Sequence, residues 1–283
     1  MPFVTVNDIK LHYEEHSLNG ADLKQTESAI PIVFLHGFTL DRRMWQPQVN
    51  FFRDHFHIIL VDARGHGLSD APPSGYSRER RVDDLHGFVN ALGINRFHLV
   101  GLSMGGSTGI GFALKHQQRL ASLSLVSTSA AGYNIGKWIS QVDRIVNDSD
   151  LAMARRKWIK SNLAYYKDDS NHNRDLLEKM MNDYSGAVWI DPMRGRYTPS
   201  NDMEVVHAIR IPVALFAGES DSIFLKLAKE LHSRIAKSQL ITYKDTGHML
   251  NLEATNSFNA DLKLFLDSTT RVFKTANELD DIV

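Results

Sequence analysis

Short apolar runs alternate with longer amphipathic stretches from residue 3 to about residue 130. FVTV and IKLHYEEH alternate apolar and polar residues, which predicts antiparallel strands with one exposed face. Four later runs are almost wholly apolar, as expected of strands buried on both faces: PIVFLHG, HIILVDARG, FHLVG and LASLSLVST. Three stretches with helical spacing lie among them: residues 42–54, 78–93 and 103–116. This order predicts an α/β fold with a mostly parallel central sheet and helices on both faces.

The pattern changes after residue 131, where tryptophans, methionines and charged residues recur with helical spacing. The next buried strand is IPVALFAG, which is followed by a helix, the strand SQLITYKD and a final helix over about 251–267. We therefore predict an α/β core formed by residues 1–131 and 201–283, with a helical lid inserted at 132–200. The polar tail after the final helix is expected to fray.

Composition excludes several classes of partner. The chain has 32 Lys and Arg residues against 33 Asp and Glu residues, so it lacks the positive field that binds nucleic acid. It has no cysteine, which excludes disulfides, a thiolate nucleophile and cysteine-based zinc sites. No segment approaches the roughly 20 apolar residues that span a bilayer, and the N-terminus lacks a leader pattern. These features predict a soluble, cytoplasmic protein with no membrane partner, and a homodimer is left open.

The glycine-rich stretch HLVGLSMGGSTGIGFAL, residues 98–114, has two interpretations. MGGSTGIG matches the phosphate loop of short-chain dehydrogenases, which bind NAD(P). Such a fold needs an acidic residue or an arginine at the end of the next strand, yet residues 120–142 contain neither. A redox enzyme is therefore the weaker interpretation.

The alternative is a nucleophilic serine at a sharp turn between a strand and a helix. Gly101-Leu-Ser103-Met-Gly105 has the spacing G-x-S-x-G, in which glycines allow the tight turn that lifts the serine hydroxyl above the sheet. The backbone N–H of Met104, at the start of the helix, is placed to stabilise an oxyanion. Gly109 and Gly111 are expected to pack this helix closely against the sheet.

A serine nucleophile needs a histidine base and a carboxylate that orients it. Asp221 follows the strand IPVALFAG, with Glu219 left as an alternative acid, and His248 follows the last strand. Both positions lie at the carboxyl edge of the predicted sheet, where Ser103 also emerges. The loop after PIVFL is expected to bring the amide of Phe38 beside that of Met104, which would complete an oxyanion hole.

With these features in order, the sequence resembles the α/β-hydrolase superfamily over residues 3–267. The resemblance rests on VFLHGFTLDRRMW, ILVDARGHGLSD, LVGLSMGG, AGESD and TGHMLNLEATNSFNADLKLFL. It is strongest to the lid-bearing esterases, enol-lactonases and cofactor-free haloperoxidases. It implies a catalytic triad of Ser103, Asp221 and His248, with no cofactor or metal, and a structural turn at Asp62 to Ser69.

These residues predict cleavage of a carboxylic ester or lactone, a small-molecule substrate, through an acyl-enzyme. A carbon–carbon bond hydrolase and a perhydrolase or haloperoxidase that use the same triad stay open, as does a ligand-binding receptor on this fold. Candidate substrate-binding residues are Trp138, Trp158, Trp189 and Met249. About half of the lid aromatics are expected to pack the lid's own core.

Two charged patterns are explained more simply by local structure than by a binding or catalytic site. HYEEH at 12–16 has the residue types of a metal site, but an exposed hairpin is favoured because zincin ligands need helical spacing. RERRVDD at 78–84 is expected to form a solvated helix face.

Overall fold

A computed structural model describes residues 2–17, 30–133, 147, 150–163, 166, 171–192 and 200–280. Its strands are β1 (Phe3–Val6), β2 (Ile9–His16), β3 (Ile32–Leu35), β4 (Ile58–Val61), β5 (Phe97–Leu102), β6 (Leu120–Val126), β7 (Val213–Gly218) and β8 (Ser238–Tyr243). Its α-helices are α1 (Gln46–Phe52), α2 (Arg78–Ala91), α3 (Met104–His116), α4 (Leu151–Leu163), α5 (Asn171–Asp183), α6 (Ala187–Ile190), α7 (Asp202–Val205), α8 (Ser222–Arg234), α9 (Leu250–Glu253) and α10 (Thr255–Asp280). Single 3₁₀ turns occupy Arg42–Trp45, Gln117–Arg119 and Val206–Ala208.

The described strands form one sheet in the order β1-β2-β4-β3-β5-β6-β7-β8. β1 pairs antiparallel with β2 and β2 with β4, whereas all pairs from β4 to β8 are parallel. The predicted fold class, a mostly parallel sheet flanked by helices, is therefore confirmed. From β3 the chain passes to β4 on one side and then crosses to β5 on the other. The loops after β3 and β5 consequently meet at the switch point where open α/β sheets bind ligands.

Alternate residues of the parallel strands feed separate core layers on the two faces of the sheet. On β3, Ile32 and Phe34 belong to the layer that contains residues of α1, α4, α5, α6 and α10. Val33 and Leu35 belong to the layer under α2, α3 and α8. The described residues 150–163 and 171–192, between β6 and β7, are called the connecting segment below. Their apolar side chains join the core of the first layer, beside α1.

The expected solvated face of α2 is wrong for Arg78 and Asp84. Arg78 forms an ion pair with Asp202 at 2.7 Å, and that carboxylate is 1% exposed. Buried Asp84 accepts two hydrogen bonds, of 2.5 and 3.0 Å, from buried Arg64. These charges face partners from distant parts of the chain, which the local charge pattern does not reveal.

The HYEEH pattern lies on β2 and its histidines bind carboxylates. His12 is fully buried and its Nδ1 lies 2.9 Å from Asp62 Oδ2, so this part of the hairpin is not exposed. His16 contacts Glu14 at 3.0 Å on the same strand. Across the described residues, no group of three or more histidine or carboxylate side chains is arranged to hold a metal ion.

The last helix is longer than expected. α10 continues to Asp280, whereas the sequence pattern predicted an end near Asp267 and a frayed tail. Within the described parts of the chain, every helix is too short or too polar to cross a bilayer.

A buried histidine on β5 makes the stability of the fold depend on pH. His98 contacts Ser122 Oγ at 2.8 Å and Thr270 Oγ1 at 3.1 Å, and burial lowers its pKa to about 3. In the unfolded chain a histidine has a pKa of about 6.5. Between these values only the unfolded state binds the proton, so this histidine destabilises the fold by about 1.4 kcal/mol per pH unit as the pH falls.

We expect urea unfolding at pH 7, 6 and 5 to show this loss, and the His98→Gln variant to lose less per pH unit. His66, whose pKa burial lowers well below its usual value, contributes with the same sign in both proteins. Equal slopes for the two proteins would contradict the assignment to His98.

Candidate active site

Ser103 lies between β5 and α3 with an unusual backbone conformation. Its φ of 53° and ψ of −107° are costly for a residue with a Cβ, by about 1–3 kcal/mol. Its N–H donates to the Val126 carbonyl at 2.9 Å, and its carbonyl accepts from Ser107 N–H at 3.0 Å. These backbone bonds on both sides hold the serine in the strained turn at the end of β5.

The glycines around Ser103 permit close backbone contacts. A Cβ on Gly101 would lie 2.5 Å from the Gly105 carbonyl oxygen, and one on Gly105 would lie 2.4 Å from the Leu35 carbonyl oxygen. No real Cβ atom tolerates such distances, so the tight turn requires glycine at both positions.

The later glycines of α3 also face protein atoms. Gly109 faces Leu123 on β6, as expected, but a Cβ on Gly111 would meet Arg78 and Val82 of α2 instead of the sheet. A Cβ on Gly106 would overlap the Thr128 side chain. Because these glycine faces are filled by the protein itself, the arrangement is not the open phosphate cradle of the dehydrogenase interpretation.

Asp221 and His248 are in direct contact. Nδ1 of His248 lies 2.6 Å from Oδ2 of Asp221, and the two side chains are 22% and 14% exposed. Since a carboxylate only accepts, Nδ1 carries the proton and the Nε2 lone pair is left to accept one. Asp221 follows β7 and His248 follows β8, so both lie at the carboxyl edge of the sheet where Ser103 emerges.

The alternative acid lies elsewhere. Glu219 accepts a hydrogen bond of 3.0 Å from Thr242 Oγ1 on the exposed side of β8. Its backbone N–H donates to the Tyr243 carbonyl, which continues the strand pairing. The contact with His248 therefore favours Asp221 over Glu219 as the orienting carboxylate.

The loop that carries His248 is held by a residue that the sequence interpretation missed. Glu253, at the end of α9, accepts hydrogen bonds from Gly247 N–H at 2.7 Å and Met249 N–H at 3.0 Å. Phe224 packs against the imidazole with ring centroids 4.4 Å apart. The signal in the sequence was an acidic residue one turn after the loop, which resembles a helix capping box.

Replacing Glu253 by glutamine is expected to lower kcat about tenfold with little change in KM. The amide NH₂ presents a donor to one of the two N–H groups, and each lost charge-assisted bond costs about 1.5–3 kcal/mol. Steady-state kinetics on an aryl ester measures the effect. Glu230→Gln is the matched control, because this partly exposed carboxylate of α8 pairs with Arg234 on the same helix at 2.7 Å. Unchanged kcat in Glu253→Gln would show that the loop holds His248 without this carboxylate.

The loop after β3 lies beside Ser103. A Cβ on Gly37 would be 3.8 Å from Ser103 Cβ, and Leu35 pairs with Gly101 in the parallel register. His36 fixes this loop, because its Nδ1 donates to the Gly37 carbonyl at 2.8 Å and its Nε2 accepts from Ala63 N–H at 2.9 Å. The next residue, Phe38, is the predicted oxyanion donor.

The predicted donors Phe38 and Met104 come from adjacent loops. Met104 is the first residue of α3, whose N-terminal N–H groups carry partial positive charge. Phe38 packs edge-to-face against His66, with ring centroids 5.8 Å apart. Both residues therefore lie at the carboxyl edge of the sheet beside Ser103, and their role as donors to a developing oxyanion stays a prediction.

His66 has the structural contacts expected of it. Its Nδ1 donates to the Arg64 carbonyl at 3.0 Å, and its ring stacks on Tyr184 with centroids 4.8 Å apart. Its pKa is held well below the usual value by burial first and then by the neighbouring His36. The ring therefore stays neutral and acts as packing beneath Phe38.

The structure describes three of the four predicted substrate-binding residues. Trp158 and Trp189 are 4% and 3% exposed and pack against Phe38 with ring centroids 5.6 and 6.3 Å apart. Met249 is partly buried beside the same core layer. Trp138 lies outside the described residues. The two buried tryptophans therefore line the loop of Phe38 and belong to the packed interior.

A family model described as alpha/beta hydrolase fold matches residues 30–255. The chain belongs to this family. A putative 2-succinyl-6-hydroxy-2,4-cyclohexadiene-1-carboxylate synthase of Bacillus subtilis is 28% identical, over 84% of this chain and 90% of its own. The 3-oxoadipate enol-lactonase 1 of Acinetobacter baylyi is 24% identical, over 89% and 94% of the two chains.

The solved structure of a thermophilic esterase from Thermogutta terrifontis, with malate bound, has the same α/β-hydrolase fold. It superimposes with a TM-score of 0.80 at 24% identity and covers 95% of this chain and 98% of that one. The resemblance that the sequence motifs indicated is thereby confirmed, as is the expectation of a hydrolase of this family. The triad, the oxyanion donors and the domain limits stay predictions.

Proposed function

We propose that the protein is a serine hydrolase that cleaves a carboxylic ester or lactone through an acyl-enzyme. The observation that carries the proposal is the 2.6 Å contact between His248 Nδ1 and Asp221 Oδ2 at the sheet edge where strained Ser103 emerges. It supports a nucleophile, a base and an orienting acid in the order Ser, Asp, His along the chain. Membership of the α/β-hydrolase family supports the same assignment.

In the first half of the reaction, the Ser103 hydroxyl attacks the substrate carbonyl carbon while His248 Nε2 takes its proton. The carbonyl oxygen becomes an oxyanion that accepts from the amides of Phe38 and Met104. Collapse breaks the bond to the alcohol oxygen, which receives the proton from His248. The acyl group is left as an ester of Ser103.

In the second half, water attacks the acyl carbon as His248 removes its proton. The second oxyanion collapses, the Ser103 oxygen leaves with that proton, and the carboxylic acid departs. Asp221 keeps its charge throughout and stabilises the imidazolium. A lactone reacts by the same steps. Because its alcohol and acyl groups belong to one molecule, the single product is a hydroxy acid.

A graded series of aryl esters and simple lactones tests this proposal. We expect the purified protein to hydrolyse members of at least one class with saturation kinetics, and the chain-length profile to report the size of the acyl pocket. Ligand binding without turnover of either class would instead support a receptor built on the hydrolase fold.

A further inference from the structure

A buried hydrogen bond links the connecting segment to the loop beside Ser103. The indole Nε1–H of Trp158, on α4, donates to Thr39 Oγ1 at 2.7 Å, and the two residues are 4% and 1% exposed. Thr39 directly follows Phe38. We infer that Trp158 and Thr39 are positioning residues whose hydrogen bond holds the Phe38 amide at the oxyanion hole, an inference that rests on the proposed function.

Thr39 occupies a backbone conformation that it does not prefer. Its φ of 61° lies in the left-handed region, which is unusual for a β-branched residue. The N–H of Leu40 closes the turn onto the Gly37 carbonyl at 3.2 Å. A strained turn persists only where its surroundings restrain it, and the hydrogen bond from α4 is such a restraint.

The connecting segment also holds the ring of Phe38. Trp158, Tyr184 and Trp189 each pack edge-to-face on it, with ring centroids 5.6, 5.8 and 6.3 Å away. Trp189 also contacts the other two rings, with the Trp158–Trp189 centroids 6.0 Å apart and the Tyr184–Trp189 centroids 5.1 Å apart. The side chain of Phe38 and the backbone after it are therefore fixed by one packed unit.

Restraint of this kind matters for a backbone donor. An oxyanion-hole N–H acts at about 2.7–3.1 Å from the developing oxyanion, and a misplacement of about 1 Å costs on the order of 10²-fold in rate. The charge on the oxygen develops only towards the transition state. A loosened loop should therefore lower kcat and leave KM nearly unchanged.

The test compares Thr39→Val, which keeps the shape and removes the acceptor, with Trp158→Phe, which removes the donor. We expect each to lower kcat by about 10–100-fold and to change KM by less than about threefold. The double variant should lose no more than the poorer single variant, because both substitutions break the same bond. Thr39→Ser keeps a hydroxyl and should restore most of kcat.

A transition-state analogue distinguishes a misplaced oxyanion donor from a general loss of active-site structure. A trifluoromethyl ketone forms an oxyanion adduct on the serine, so its Ki should rise by the same factor as kcat falls. The Ki of the product carboxylate should not change. Trp45→Phe is the matched control for Trp158→Phe, because Trp45 is fully buried and its indole nitrogen has no partner among the described residues.

Wild-type kcat in Thr39→Val, with Ser103→Ala inactive, would overturn this inference and leave the proposed function standing. An effect of Trp158→Phe confined to KM would also overturn it and would assign the tryptophan to substrate binding. Absence of ester and lactone turnover in the wild type would overturn both proposals together.

Discussion

Ser103→Ala is expected to lower kcat by about 10⁴-fold or more on any ester or lactone that the wild type hydrolyses. Alanine keeps the Cβ that the strained turn already accommodates and removes only the attacking oxygen. The residual rate should come from substrate binding and the oxyanion donors, without an acyl-enzyme. Steady-state kinetics at substrate saturation measures the loss, and urea unfolding should show a fold of nearly unchanged stability.

Ser124→Ala is the matched control for this variant. Ser124 is fully buried on β6, and its hydroxyl has no hydrogen-bond partner among the described residues. Its removal should leave kcat within about twofold, because no partner is left unsatisfied. Equal loss in both variants would point to disturbance of the sheet instead of loss of the nucleophile.

Asp221→Asn is expected to lower kcat by about 10⁴-fold, as in other triads in which the orienting acid becomes an amide. The 2.6 Å contact places a pure acceptor against His248 Nδ1, whereas an amide NH₂ in that place favours the opposite tautomer. With the proton on Nε2, the imidazole has no lone pair for the serine proton. The pH profile of kcat measures this loss, which is read on the plateau where kcat no longer depends on pH.

Glu219→Gln is the control that separates the two candidate acids. Glu219 accepts from Thr242 on the surface, so its variant should retain kcat within about twofold. A large loss in Glu219→Gln with an active Asp221→Asn would reverse the assignment. It would also require the loop after β7 to rearrange during the reaction.

The sheet was predictable from the sequence because each strand corresponds to a local pattern of apolar residues. The apolar runs PIVFLHG, HIILVDARG and FHLVG became β3, β4 and β5, and the G-x-S-x-G spacing placed Ser103 at the end of β5. Each of these features depends on neighbours within a few residues. The loop positions of Asp221 and His248 followed from the ends of β7 and β8 in the same way.

The contacts that support the candidate site were not predictable, because they join distant parts of the chain. Trp158 and Thr39 are 119 residues apart, and Arg78 and Asp202 are 124 apart. No local pattern marks which indole will meet which hydroxyl. Glu253 had a weaker signal in the sequence, an acidic residue about one turn after the histidine. Its two N–H donors become evident only in the folded loop.

Trapping the acyl-enzyme would identify the nucleophile of the reaction. The protein is mixed with an excess of a slowly deacylated aryl ester, quenched in acid within a second, and measured by intact-protein mass spectrometry with peptide mapping. We expect one acyl group per chain, on the peptide that carries Ser103, and none on Ser103→Ala. An adduct on another residue, or turnover with no acyl group on the wild-type chain, would contradict it.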